Sequence, residues 1–319
     1  MAAIIASQLS RRFKAGVAVD SLDLTVEDGE IYGFLGPNGA GKSTTVRMLV
    51  TLLAPTSGDA VVAGASVANQ PGQVRLRIGA ALQEAALDPQ QTGRELLRLQ
   101  ARLYGLGAAA SWRRLDELTE LIDIGDALDR PIRTYSGGMR RRIDLAAALV
   151  HAPRVLFLDE PTTGLDPLSR TRVWEEVRRL NTEAGVTVFL TTQYLEEADR
   201  LAHRVGIIDA GRLVAEGTPA ELKRQVGTDV LLVRGVITDA ELAERLERID
   251  GVDRVDRRAD GLTIAAADGS RIVGPVAVAL HQAGVQVEEL VLRTASLDDV
   301  FVKVTGSRFD LETEEVVGA

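Results

Sequence analysis

The run Gly36-Pro37-Asn38-Gly39-Ala40-Gly41-Lys42-Ser43-Thr44-Thr45 sets two glycines five positions apart ahead of a lysine and a hydroxyl. This G-x-x-x-x-G-K-[ST] spacing suits a bound phosphate chain. Glycines let backbone N–H groups curl toward an anion without Cβ clashes, and a helix starting just beyond adds partial positive charge. Lys42 would neutralise the β- and γ-phosphates, Ser43 would set its hydroxyl on Mg2+, and the amides of Asn38 to Thr44 would supply most remaining contacts. A metal also needs a carboxylate. The apolar run Val155 to Leu158 would deliver Asp159 to the carboxyl edge of a sheet, where ligands bind in open α/β folds. Glu160 follows, able to orient or deprotonate an attacking water, a role worth about 10²–10⁴ in rate. A third group, Ser136-Gly137-Gly138-Met139, puts a hydroxyl and two glycine amides at the head of a helical run, Met139 to Leu149, which is again suited to an anion.

These residues need strands and helices to hold them. Residues 17–26 alternate through Val17, Val19, Leu22, Leu24 and Val26, and Asp28-Gly29 is a hairpin-type turn, so antiparallel strands are expected at the start. Ile31–Leu35 reads as a short strand entering the glycine loop, after which Val46, Met48, Leu49, Leu52 and Leu53 recur at helical spacing. From Asp88 to Leu128 the pattern is helical, with Leu96, Leu97, Leu99 and Leu103, then Leu115, Leu118, Leu121 and Ile122, spaced for one buried face per helix. Strand patterns at Val155–Leu158, Val186–Leu190 and Arg204–Ile208 alternate with helical runs, as in a mostly parallel sheet with crossover helices. The fold class is therefore α/β, with a helical lobe and an antiparallel β subdomain. Beyond Gly227 the order becomes strand 230–233, helix 239–249, strands 252–257 and 262–265, helix 272–283 and strand 285–292. This β-α-β-β-α-β order is ferredoxin-like. The division expected is 1–227 for the phosphate-binding domain, 228–305 for an accessory or regulatory domain, and 306–319 for an acidic tail.

Composition limits the alternatives. The 319 residues contain no Cys, which excludes disulfides, thiolate metal sites and cysteine nucleophiles. The net charge of −9 is uneven: residues 1–227 hold 27 Lys+Arg against 28 Asp+Glu, and 228–319 hold 10 against 18. An acidic second domain argues against broad nucleic-acid binding. No stretch reaches the roughly 18–20 apolar residues of a membrane span, and Met1-Ala2-Ala3-Ile4-Ile5 lacks the basic start of a signal peptide, so a soluble, cytoplasmic chain is expected.

With these motifs in hand, residues 1 to about 227 resemble the ATP-binding subunit of an ABC transporter, a P-loop NTPase. The most specific likeness is Ser136-Gly137-Gly138-Met139, which resembles the family's signature loop and stands between the glycine loop and Asp159-Glu160 in the family's order. The resemblance implies ATP and Mg2+ as ligands, and a homodimer in which the signature loop of one copy covers the γ-phosphate held by the other. It implies that Gln83 senses Mg2+ and couples to a membrane partner, that Asp166 links the two active sites, and that Phe13 is a candidate for stacking on adenine. The family usually has a His after the strand ending at Leu190; here Gln193 follows Thr191-Thr192, and an amide can donate a hydrogen bond but cannot become cationic. The segments 81–88, Thr92-Gly93-Arg94-Glu95 and 190–199 are similar to the daunorubicin and doxorubicin resistance ATPases, a subfamily that tolerates Gln at this position. That likeness implies an exporter working at the cytoplasmic face of the cell membrane through a separate permease of the ABC-2 drug-export type, with no nucleic acid. Thr294 to Phe301 resembles the closing segment of such subunits. Two other readings are a soluble ABC ATPase serving the ribosome or DNA, and an ATP-loaded module that sequesters drug with little turnover.

Overall fold

The computed structural model describes residues 1–82, 87–122, 124–237, 241–258 and 261–306. The chain forms two compact units, Met1–Pro219 and a second beginning at Ala220.

In the first unit, β1 (Ala2–Phe13) and β2 (Gly16–Glu27) pair antiparallel. Ser21, at φ 52, lies where the register shifts, so the buried positions change from Val19 to Leu22, Leu24 and Val26. β3 (Ile31–Leu35) is buried throughout and runs into the glycine loop and α1 (Lys42–Leu49). The helix is shorter than its apolar spacing suggests. Thr51 adopts φ 64, outside the helical region, and Leu52 is 63% exposed. β4 (Ser57–Val62) and β5 (Ala65–Ser66) complete a four-stranded sheet ordered β2-β1-β4-β5.

α2 (Pro71–Arg77) leads to β6 (Ile78–Ala81), and the helical lobe follows with α3 (Gly93–Leu103), α4 (Ala108–Ile122) and α5 (Gly137–Leu149). α3 opens on a reciprocal capping box between Thr92 and Glu95. Its buried face is Leu96, Leu97 and Ala101, whereas Leu99 and Leu103 are exposed, a correction to the face expected from leucine spacing. Leu115 and Leu118 are buried on α4 as expected.

The remaining elements are β7 (Val155–Asp159), α6 (Pro167–Ala184), β8 (Thr187–Thr192), α7 (Leu195–Leu201), β9 (Arg204–Asp209) and β10 (Arg212–Gly217). They build a six-stranded sheet ordered β10-β9-β3-β8-β7-β6, parallel except for the β9–β10 pair. The centre is aromatic: Phe189 on β8 has ring centroids 5.7 Å from Tyr32, 5.4 Å from Phe34 and 5.6 Å from Phe157. β8 therefore lies between the strand that feeds the glycine loop and the strand that ends in Asp159.

In the second unit, α8 (Pro219–Val226) precedes β11 (Asp229–Val236), α9 (Leu242–Glu247), β12 (Val252–Arg258), β13 (Gly261–Ala266), α10 (Gly269–Gln282), β14 (Gln286–Arg293) and α11 (Leu297–Thr305). Its antiparallel sheet is ordered β12-β13-β11-β14, the split β-α-β-β-α-β arrangement. Asp239, expected to start a helix, lies outside the described residues, as does 307–319 of the acidic tail. The resemblance at 294–301 covers the start of α11, whose Ser296 and Asp299 cap each other's backbone. Among the described residues, no helix is long and apolar enough to cross a membrane.

One buried carboxylate fastens the loop after β7 to the rest of the first unit. Glu197 on α7 is fully buried and accepts from Thr162 Oγ1 at 3.0 Å and Trp174 Nε1 at 2.8 Å. Burial raises its pKa, against these hydrogen bonds. Replacing Thr162 by the near-isosteric valine removes a donor from a group with no access to water. Thr162→Val is predicted to lower stability by about 1–3 kcal/mol, read as a lower urea midpoint; an unchanged midpoint contradicts the role given to this contact.

Candidate functional site

The glycine loop crosses the end of the sheet so closely that two of its positions need glycine. A Cβ on Gly36 would stand 2.4 Å from the carbonyl oxygen of Ile208, and Gly41 takes φ 110 with Ala18 O only 2.5 Å from where its Cβ would be. The backbone can therefore lie against β9 and β2 and turn directly into α1.

Lys42, the first residue of α1, is 4% exposed. Its ammonium donates to Gly36 O at 2.6 Å and Pro37 O at 3.1 Å, and stands 3.8 Å from Glu160 Oε1. Burial pushes its pKa down, while the carboxylates of Glu160 and Asp159 push it up. Asp159, at the end of β7, accepts a hydrogen bond from Thr191 Oγ1, and Ser43 Oγ lies 3.5 Å from the same Asp159 oxygen. Glu160 is held in a left-handed conformation, φ 49. Its amide donates to both Thr191 O and Thr191 Oγ1 at 3.1 Å, so one threonine on the central strand fixes both acidic residues.

Together they face a cleft of about 420 Å³, lined by the loop from Pro37 to Thr44 apart from Ala40, with Glu160, Thr163 and Gln193 and with Ala18 on β2. Lys42, Ser43, Glu160 and Gln193 are thus brought to one place, and Asp159 adjoins Ser43 behind it. Gly36 and Ala40 are buried in the loop rather than lining the cleft. Thr45 is fully buried, with both its amide and its hydroxyl donating to Gly41 O at 2.9 Å.

The other expected residues stand apart. Phe13 is 42% exposed near the end of β1, with the Arg11 guanidinium 4.7 Å over its ring, and does not line the cleft. Ser136 is exposed and caps α5, its hydroxyl accepting from Met139 N at 3.2 Å; Gly137, Gly138 and Met139 follow in the first turn. Asp166 caps α6 by accepting from Ser169 N at 2.9 Å and Ser169 Oγ at 2.6 Å, bonds that hold its pKa down. Gln83 lies outside the described residues.

Thr191, Thr163 and Ala18 were not legible as site residues, because nothing in their type marks them. The available signal for Thr191 was its position, a hydroxyl at the end of a strand adjacent to the Asp159 strand. For a cation, Ser43 and Asp159 offer hard oxygens beside the phosphate loop, the donor chemistry of Mg2+. Among the described residues no cluster of three or more His, Cys, Asp or Glu could hold a metal. Mg2+ on a nucleotide needs only one or two protein ligands because phosphates and water supply the rest.

The "ABC transporter" family description matches residues 19–163, and "ATP-binding protein DrrA1-3-like, C-terminal domain" matches residues 217–305. The chain is 49% identical to the daunorubicin resistance ATP-binding protein DrrA2 of Streptomyces coeruleorubidus, over 96% of each chain. It is 47% identical to the daunorubicin/doxorubicin resistance ATP-binding protein DrrA of Streptomyces peucetius, over 98% of this chain and 95% of that one. Among solved structures, the ATP-binding subunit of an ABC transporter aligns with a TM-score of 0.64 at 30% identity, covering 70% of this chain and 92% of that one.

Because Gly36 has no room for a Cβ, Gly36→Ala is predicted to displace the loop and weaken nucleotide binding at least about tenfold, a loss of positioning. Equilibrium titration with a fluorescent ATP analogue measures it; wild-type affinity in the folded variant contradicts the packing argument.

Proposed function

Because this chain belongs to the ATP-binding proteins of ABC transporters, we propose that it powers efflux of a drug or other hydrophobic small molecule through a separate membrane permease. It is an ABC-type ATPase and binds ATP. The resistance functions named for its relatives, together with near full-length identity of 47–49%, support the cargo class. A permease of the ABC-2 drug-export type, and a place at the cytoplasmic face of the membrane beside it, are part of the same proposal. A soluble ATPase serving the ribosome or DNA is less favoured, since the resemblance to resistance proteins continues through the C-terminal domain. For the unit from 228 to 305 we propose an accessory or regulatory role.

The observation that carries the mechanism is the meeting of Lys42, Ser43 and Glu160 at one cleft, with Asp159 against Ser43 behind it, while Ser136, the other anion-suited group, lies outside it. Two copies arranged head to tail would complete each other, the Ser136-Gly137-Gly138 end of one covering the γ-phosphate held by the loop of the other. In that arrangement Lys42 would neutralise phosphate charge, while Ser43 and Asp159, with Gln83, would hold Mg2+. Mg2+ supplies charge neutralisation and substrate orientation when bound. Glu160 orients the attacking water and accepts its proton, and Gln193 donates a hydrogen bond toward the γ-phosphate. Asp166 is assigned to contact between the two sites and Phe13 to the adenine.

Glu160→Gln is predicted to cut steady-state hydrolysis by at least about 10²-fold while leaving ATP affinity within about threefold, as expected when a base is removed from an intact site. Hydrolysis at the wild-type rate overturns the assignment. Gln193→Ala is predicted to slow hydrolysis about tenfold and Gln193→His to leave it within about threefold, because the needed group is a donor rather than a charge. Equal rates for the alanine variant and the wild type contradict this.

A further inference from the structure

Arg141 stands on α5 five residues beyond Ser136, with its side chain 12% exposed. Its guanidinium reaches four backbone carbonyls on two neighbouring strand ends. Nη1 donates to Leu82 O at 3.0 Å and Nη2 to Ala81 O at 3.4 Å, at the end of β6. Nη2 also donates to Asp159 O at 3.2 Å, and Nε to Pro161 O at 3.1 Å, on either side of Glu160. Nη1 further meets Asp144 Oδ2 at 3.3 Å within α5 itself. Burial pushes Asp144 up to about 6, opposed by the Arg141 charge.

This arrangement asks for arginine. Buried carbonyls at strand ends need donors, and a planar fork can serve several at once where a lysine ammonium acts as a compact point. α5 is also a continuous helix whose head is the Ser136-Gly137-Gly138 group. A displacement of that head is therefore resisted by bonds that hold the backbone of Asp159 and Pro161. In a head-to-tail dimer these belong to different ATP sites: Ser136 faces the partner's nucleotide, while Asp159 and Glu160 serve the chain's own.

We propose that Arg141 is the positioning residue through which nucleotide at one ATP site sets the geometry of Asp159 and Glu160 at the other. The inference rests on the head-to-tail reading given under Proposed function. A shift of the acidic pair by even about 1 Å is enough to cost on the order of 10²-fold in rate without touching the groups that bind the phosphates.

The test compares full-length wild type, Arg141→Lys and Arg141→Gln. Steady-state hydrolysis is followed across ATP and protein concentration, and ATP affinity is measured separately by equilibrium binding. The wild type is expected to hydrolyse cooperatively, with a Hill coefficient between about 1 and 2 for two coupled sites. Both variants are expected to bind ATP within about threefold of wild type, to lose about 10–100-fold in kcat, and to show a Hill coefficient falling toward about 1. Lysine keeps the charge and serves as the folded variant if glutamine lowers the folded fraction. Wild-type kcat and cooperativity in either folded variant overturns the inference, as does a loss seen wholly as weaker ATP binding. Non-cooperative wild-type hydrolysis independent of protein concentration removes the head-to-tail reading and this inference with it. Concentration-dependent, cooperative hydrolysis that survives in Arg141→Gln removes only the role of Arg141.

Discussion

The site depends on β8 lying between β3 and β7, with Thr191 near its end bonded to the Asp159 carboxylate that closes β7 and to the backbone amide of Glu160 just beyond. Parallel strands in register bring their carboxyl ends to the same edge, so three separate segments arrive together: the glycine loop, Asp159-Glu160 and Thr191 to Gln193. Remove that order and the residue types remain while the chemistry is lost. The aromatic centre around Phe189 ties the same three strands below the edge, which makes the site's geometry a consequence of core packing.

Electrostatics explains why such an edge awaits an anion and a cation together. Lys42 is buried near two carboxylates, and its ammonium is satisfied by loop carbonyls, Gly36 O and Pro37 O, rather than by a tight ion pair. In the proposed reading a triphosphate would bring charge that Lys42 and the loop amides can accept, and a cation held by Ser43 and Asp159 would offset the repulsion between phosphates and Asp159. Glu160 lines the same cleft, where the proposed reading has it orient the attacking water. Among the described residues, those lining the cleft include one helix start, that of α1, and no second. Ser136 on α5 has that chemistry and lies elsewhere in the same unit, which is the reason to assign it to a second copy.

Much of this was legible from residue type and spacing. The glycine loop, the strand Val155–Leu158 ahead of Asp159, and the β-α-β-β-α-β order beyond 227 are local patterns with strong backbone demands. The four leucines of α3 are compatible with more than one buried face, and the face that packs carries Leu96, Leu97 and Ala101 while Leu99 and Leu103 stay exposed, a choice set by tertiary packing rather than by leucine spacing. Leu52 and Leu53 misled because Thr51, a residue that rarely takes positive φ, ends the helical run. Arg141 was hidden among Arg140, Arg141 and Arg142: three identical side chains differ only in which way the helix turns them, and that is fixed by tertiary packing. The bulge at Ser21 and the bridging hydroxyl of Thr191 were likewise invisible, since each depends on a neighbouring strand rather than on its own sequence context.

Mixing two inactive variants tests most directly whether each site is shared between two copies. Lys42→Ala removes the phosphate lysine and Ser136→Ala the covering hydroxyl, so each homodimer carries two damaged sites. In a mixed head-to-tail dimer both lesions fall on one site and the other is intact. An equimolar mixture is therefore expected to hydrolyse ATP faster than the average of the separate variants, with about one quarter of the wild-type rate as the ceiling set by half the dimers being mixed and each having one good site of two, and coupling between the sites lowering it from there. If the mixture hydrolyses ATP no faster than the average of the separate variants, Ser136 does not act across the dimer.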